Sequence, residues 1–223
     1  MSITKNLTEI QKQIPNHVRL VAVSKFHSVE DINEAYQAGQ RIFGESKAQE
    51  LIAKHEELPQ EDIEWHFIGH LQSNKIKFIA PFIQLIHSVD TFRLLRNINK
   101  EAKKVNRIIP CLLQLHIADE DTKYGFSFDE CRKMLHDGHW RDLTNIKISG
   151  IMGMATFTDN STLIHSEFQS LKKFFEEIKQ DYFQNDDSFK EISMGMSEDY
   201  PIAIEEGSTL IRVGSKIFGE RIY

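Results

Sequence analysis

Short apolar runs alternate with stretches of helical spacing along the chain from residue 19 onward. Residues 4–14 predict a polar helix that ends near Pro15. Beyond it, apolar runs at 19–25, 41–45, 64–69, 84–89, 108–117, 146–154, 189–194 and 209–213 predict eight strands. Between them the spacing predicts a helix capped by Ser28 and closed by Gly39, then helices over 46–58, around 74–79, and over 91–105, 127–135, 162–182 and 198–206. A glycine-containing loop is expected over 119–126. The segment 162–182 is the longest helix, amphipathic through Leu163, Phe168, Leu171, Phe174, Phe175 and Ile178.

Most of these strands are apolar on both faces, as in a parallel sheet covered by helices. Eight such units in 223 residues fit a closed (β/α)8 barrel, here with an extra N-terminal helix. An open doubly wound sheet calls for a glycine-rich phosphate turn after the first strand. That turn is Lys25-Phe26-His27-Ser28, with no glycine. No linker, low-complexity tract or domain boundary interrupts the alternation, so residues 1–223 are read as one α/β barrel domain.

Composition narrows the function. The net charge is −6, from 27 basic and 33 acidic residues, which argues against a general nucleic-acid or membrane-surface binder. No apolar run approaches the roughly 20 residues of a membrane span, and the polar N-terminal residues do not resemble a signal peptide. Cys111 and Cys131 have no CxxC partner, so neither a structural zinc site nor a disulfide framework is expected. A reducing cytoplasm fits this usage.

In a barrel of this kind the functional face is built at the C-terminal strand ends. Those ends carry Lys25; Glu45, Ser46 and Lys47; His70 and Asn74; Ser88 and Asp90; Met152 and Met154; Ser193 and Ser197; Gly214 and Ser215. A lysine leaving an apolar strand is more often a solvated charge than a reactive amine. Here the glycines and serines after strands seven and eight suggest a phosphate cradle, and closure places strand one beside strand eight. An amine next to a phosphate site suits a Schiff base with a phosphorylated aldehyde, and partial burial favours the neutral amine this requires. His66 and His70, four apart and expected on one strand face, make a weak metal pair because no carboxylate companion has fitting spacing. Met152, Met154, Met194 and Met196 are expected in the core.

An ordered set of motifs points further. Val21-Ala22-Val23-Ser24-Lys25, Phe43-Gly44-Glu45, Trp65 through Lys75, His87-Ser88-Val89-Asp90, Gly150-Ile151-Met152-Gly153-Met154, Ser193-Met194-Gly195-Met196-Ser197, and Gly207 through Gly219 span nearly the whole chain. Together they resemble the pyridoxal phosphate homeostasis proteins. The resemblance implies a barrel similar to the N-terminal domain of alanine racemase, with pyridoxal 5'-phosphate carried on Lys25. It implies a phosphate held by Ser193 and by backbone amides near Met194, Gly214 and Ser215, and Arg212 facing the pyridine nitrogen. An arginine there keeps that nitrogen unprotonated and weakens the ring as an electron sink.

The role implied is to hold, buffer and deliver the cofactor in vitamin B6 homeostasis, without turnover, with apo pyridoxal-phosphate enzymes as recipients. The chain is read as ending directly after strand eight, without the further β domain of the racemases, which favours a monomer. A racemase-like enzyme and an aldolase-type barrel are the rival expectations. Two departures stand out: Ser46 where the family usually has Asn, and His27-Ser28 where a proline is common after the lysine. The first leaves any ligand contact at position 46 open; the second changes only the turn.

Overall fold

The computed structural model describes residues 2–118 and 124–219. Helix α1 (Ile3–Gln13) precedes β1 (Arg19–Val23), α2 (Val29–Gln37), β2 (Ile42–Glu45), α3 (Ala48–Glu57) and β3 (Glu64–Phe67). Then come α4 (Ile76–Ile79), β4 (Leu85–Val89), α5 (Phe92–Lys104), β5 (Ile109–Gln114) and α6 (Phe128–Asp137). The chain continues through β6 (Ile146–Met152), α7 (Ser161–Tyr182), β7 (Glu191–Ser193), α8 (Tyr200–Glu205), β8 (Leu210–Val213) and α9 (Ser215–Phe218). The strands pair in parallel, in sequence order, and β1 closes on β8 with Val21 level with Arg212. This is the (β/α)8 barrel that the alternation predicts, with its additional N-terminal helix. The loop expected over 119–126 falls, as far as residue 123, outside the described residues.

Strand alternation explains the layering. On β1 and β8, Val21 and Leu210 point inward and join Leu85, Leu112 and Met152 in a small apolar plug. Ala22, Phe43, Trp65, Phe67 and Ile211 point outward into the larger core beneath the helices. The helices supply the other half of that core: Ile3, Leu7 and Ile10 from α1, and Phe168, Leu171, Phe174 and Ile178 from α7. Each such side chain contributes about 1.5–3 kcal/mol by leaving water. Ser28 starts α2 as expected: its hydroxyl accepts the Asp31 amide, and Asp31 accepts the Ser28 amide, both at 3.2 Å.

Three features bear on the site. First, the strands end earlier than the apolar runs do. Gly69 shows why at β3: a Cβ there would lie 2.1 Å from the Ser46 carbonyl, so the chain has already left the sheet to pass over its neighbour. Second, α1 braces the far end of the chain. The Asn6 side-chain amide donates to the Ile217 carbonyl at 2.9 Å, and the Tyr200 hydroxyl donates to Gln13 Oε1 at 2.8 Å. Third, Cys111 and Cys131 are both buried and unbridged, and burial pushes their thiols up, that of Cys131 to about 12.

Candidate functional site

The C-terminal end of β1 sets the site. Ser24 stays buried and ties its amide to the Gly44 carbonyl at 3.1 Å, after which the chain turns, with the His27 amide closing on the Ser24 carbonyl at 3.0 Å. Lys25 stands at the start of that turn and lines a cavity of ≈ 450 Å³ at the barrel mouth. Val23, Ile68, Met154, Met196 and Phe157 give the cavity apolar walls. Ser197, Arg212, Gly214 and Ser215 supply polar groups, with Glu198 and Asp199 beside them.

Arg212 reaches this cavity from inside the barrel. It points inward from β8 and is almost completely buried. Its guanidinium donates to Ser193 Oγ at 2.5 Å and to the Gly153 carbonyl at 3.0 Å, both neutral oxygens. Desolvation pulls its pKa down to about 10, with Asp199 opposing the shift, so it remains a cation at neutral pH. Ser193 Oγ lies 2.8 Å from His87 Nδ1, and His87 Nε2 lies 3.0 Å from His66 Nδ1. Burial holds both histidines neutral, with His66 down to about 3, and the Arg212 charge further disfavours a proton on His87. A column of Arg212, Ser193, His87 and His66 thus runs down the barrel interior.

This geometry sorts the expected site residues. Lys25, Arg212, Gly214 and Ser215 share the cavity wall. Ser193 and Met194 are fully buried and lie behind it. The reason is Gly195, whose φ of +93° turns the chain after β7; a Cβ there would lie 2.5 Å from the Ala203 Cβ. Ser193 is left inside the barrel, and Ser197 comes out to the cavity, where its hydroxyl accepts the Gly214 amide at 3.3 Å. Of these two serines, Ser197 is the one that lines the cavity.

Other strand-end residues also divide. Ser46, Met154 and Met196 line the cavity, whereas Met152 belongs to the interior plug. His66 and His70 do not share a strand face: β3 ends at Phe67, and His70 is exposed, 3.4 Å from Asp90. Among the described residues no cluster of His, Cys, Asp and Glu is arranged to hold a metal. Glu45 points outward with Phe43, under α3, where its Oε1 accepts from Ser24 Oγ at 2.6 Å and from Lys54 Nζ at 2.8 Å. Lys54 was not singled out from the sequence, and His87 was noted only as part of the motif His87-Ser88-Val89-Asp90, with no role. Glu50 and Lys54, four apart on α3, were the available signal for the first; for His87, the motif gave position without partner.

The family model described as the alanine racemase N-terminal domain matches residues 1–222. A pyridoxal phosphate homeostasis protein of Synechocystis is 38% identical, over 96% of this chain and 97% of that protein. The chain belongs to this family. The homeostasis protein of Aquifex aeolicus is 35% identical, over 93% of this chain and 89% of its own length. Among solved structures, PipY of Synechococcus elongatus with PLP bound superposes with a TM-score of 0.88 at 36% identity, covering 97% of this chain and all (100%) of that one. Alanine racemase from Bartonella henselae, with covalently bound pyridoxal phosphate, has a TM-score of 0.72 at 16% identity and covers 99% of this chain and 59% of that one. At that identity the likeness is one of fold. No helix among the described residues is long and apolar enough to cross a membrane.

Proposed function

We propose that the protein binds pyridoxal 5'-phosphate through Lys25 and serves as a non-enzymatic holder of that cofactor in vitamin B6 homeostasis. The observation that carries this reading is the convergence of Lys25 and Arg212 on one apolar-walled cavity, in a chain of the homeostasis family. The residues suit the group. Its ring matches the walls of Val23, Ile68 and Met196. Its phosphate matches the hydroxyls of Ser197 and Ser215 and the close backbone at Gly214, where a Cβ would press on the Val23 carbonyl at 3.1 Å.

When bound, the cofactor supplies an aldehyde that forms a Schiff base with an amine and releases it by exchange. Lys25 provides the amine. Arg212 would meet the ring nitrogen as a fixed cation with no proton to give at neutral pH, which would keep the ring a poor electron sink. That favours storage over carbanion chemistry. The unit comprises residues 1–223, works as a monomer in the cytoplasm, and passes its cargo to apo pyridoxal-phosphate enzymes.

Incubation with pyridoxal 5'-phosphate followed by borohydride should give a visible chromophore and a fixed mass on Lys25. Lys25→Ala should abolish both and leave the fold intact. A colourless protein that cannot be loaded sinks the reading, and steady exchange of amino-acid Cα hydrogens in deuterated water replaces it with an enzymatic one.

A further inference from the structure

The turn that carries Lys25 is held from beneath by buried charge. Ser24 and Glu45 share the outer face of the barrel, where α3 covers them. From α3, Lys54 places its ammonium 2.7 Å from the Ser24 carbonyl, 2.8 Å from Glu45 Oε1 and 2.7 Å from Glu50 Oε1. Those three acceptors match its three protons. Glu50 Oε1 in turn accepts the Phe26 amide at 2.6 Å. The backbone is therefore gripped on both sides of Lys25: at the carbonyl just before it and at the amide just after it. The Lys54–Glu50 ion pair closes the ring.

Two further observations show that this grip opposes a cost. Phe26 has a φ of +68°, a region that side-chain-bearing residues rarely enter. Among the described residues its only non-glycine companion there is Asn106, a type that tolerates it. Moreover, Glu45 Oε2 is buried without a hydrogen-bond partner, and desolvation raises the Glu45 pKa. A strained turn and a desolvated carboxylate persist only where surrounding structure enforces them, and such places cluster at functional sites.

We propose that Glu50 and Lys54 are positioning residues for Lys25: acting through its flanking peptide groups, they fix the direction in which the amine enters the cavity. This rests on the proposed covalent role of Lys25. Neither lines the cavity, so their effect falls on the attachment step and spares recognition of ring and phosphate.

The test compares two ligands on purified full-length protein. One is pyridoxal 5'-phosphate, whose attachment is followed by stopped-flow absorbance. The other is pyridoxine 5'-phosphate, which carries the ring and phosphate with an alcohol in place of the aldehyde, followed by calorimetry. Glu50 is partly exposed, so Glu50→Ala is a mild change for the fold. It should slow attachment about tenfold through misorientation and leave pyridoxine 5'-phosphate affinity unchanged. Glu50→Gln keeps an acceptor oxygen for the Phe26 amide and should restore most of the rate. Equal attachment rates in wild type and Glu50→Ala overturn the proposal, and so does parallel loss of attachment and alcohol binding, which marks a general structural role. A wild-type protein that never attaches the aldehyde overturns the cofactor reading itself, an outcome distinct from both.

Discussion

Two buried cations flank the same strand end, and their surroundings differ in kind. Lys54 lies under α3 between two carboxylates and a backbone carbonyl, so its charge is answered within a few ångströms. Arg212 lies inside the barrel against a serine hydroxyl and a carbonyl, backed by two histidines that stay neutral. Answered charge fixes geometry and projects little field. Charge opposed only at longer range, here by Asp199, keeps more of its field for whatever enters the cavity. On the proposed reading, one cation holds Lys25 in place and the other sets the electrostatics that a ligand would meet.

Removing Lys54 should break the contrast most forcefully. Lys54→Met leaves Glu45 and Glu50 without their shared partner and should cost about 3–5 kcal/mol of stability in urea unfolding. A loss below about 1 kcal/mol would mean that Glu45 is protonated and the cluster is not ionic. Acid tests the other region. His66 and His87 have folded-state pKa values below their unfolded ones, so in mild acid the unfolded chain binds more protons. The stability they support is complete above their ordinary value of 6.5 and declines as pH falls toward about 3, the value reached by His66. The decline should be about 1.4 kcal/mol per pH unit for each histidine, and His66→Leu should flatten it. An acid limb unchanged by His66→Leu would place the protons elsewhere.

Smaller effects sharpen the difference. Arg212→Met removes a buried charge that makes no close ion pair and meets Asp199 only at longer range, so stability should move by less than about 1 kcal/mol. Retention of pyridoxal 5'-phosphate, measured by dialysis, should nonetheless weaken at least about tenfold, the scale of a lost hydrogen bond to a charged group. Equal retention would remove Arg212 from the ligand. Ser197→Ala should weaken retention about tenfold, by one hydrogen bond to the charged phosphate. Ser193→Ala should act chiefly on stability, since it strands the donors and acceptors of the interior column. The reverse pattern would return the phosphate contact to Ser193.

The barrel was legible because parallel strands buried on both faces leave dense apolar runs, such as 84–89, and because α2 announces itself through Ser28 and Asp31. The strand ends were less so: Ser24 and Ile68 are apolar or small enough to extend the runs although the chain has already turned. Helix α9 went unread because Gly214-Ser215 looks like loop, and its fold depends on the distant Asn6. Lys25 and Arg212 were found from motif order and strand adjacency. Ser193 and Ser197 are separated by one turn at Gly195, and only a dihedral angle tells which serine faces out. Lys54 reads as one more helix lysine until Glu45, nine residues earlier on a different element, is seen beneath it.

The inaccessible thiols have a consequence of their own. An electrophilic carbonyl reacts with soft thiolates as well as with amines, and a carrier of such a group risks capturing it at the wrong atom. Cys111 is sealed inside the barrel wall and Cys131 on the buried face of α6, both held protonated by burial. On the proposed reading the polypeptide would meet its cargo with nitrogen and withhold sulfur: chemoselectivity would be achieved by what the core conceals as much as by what the mouth presents.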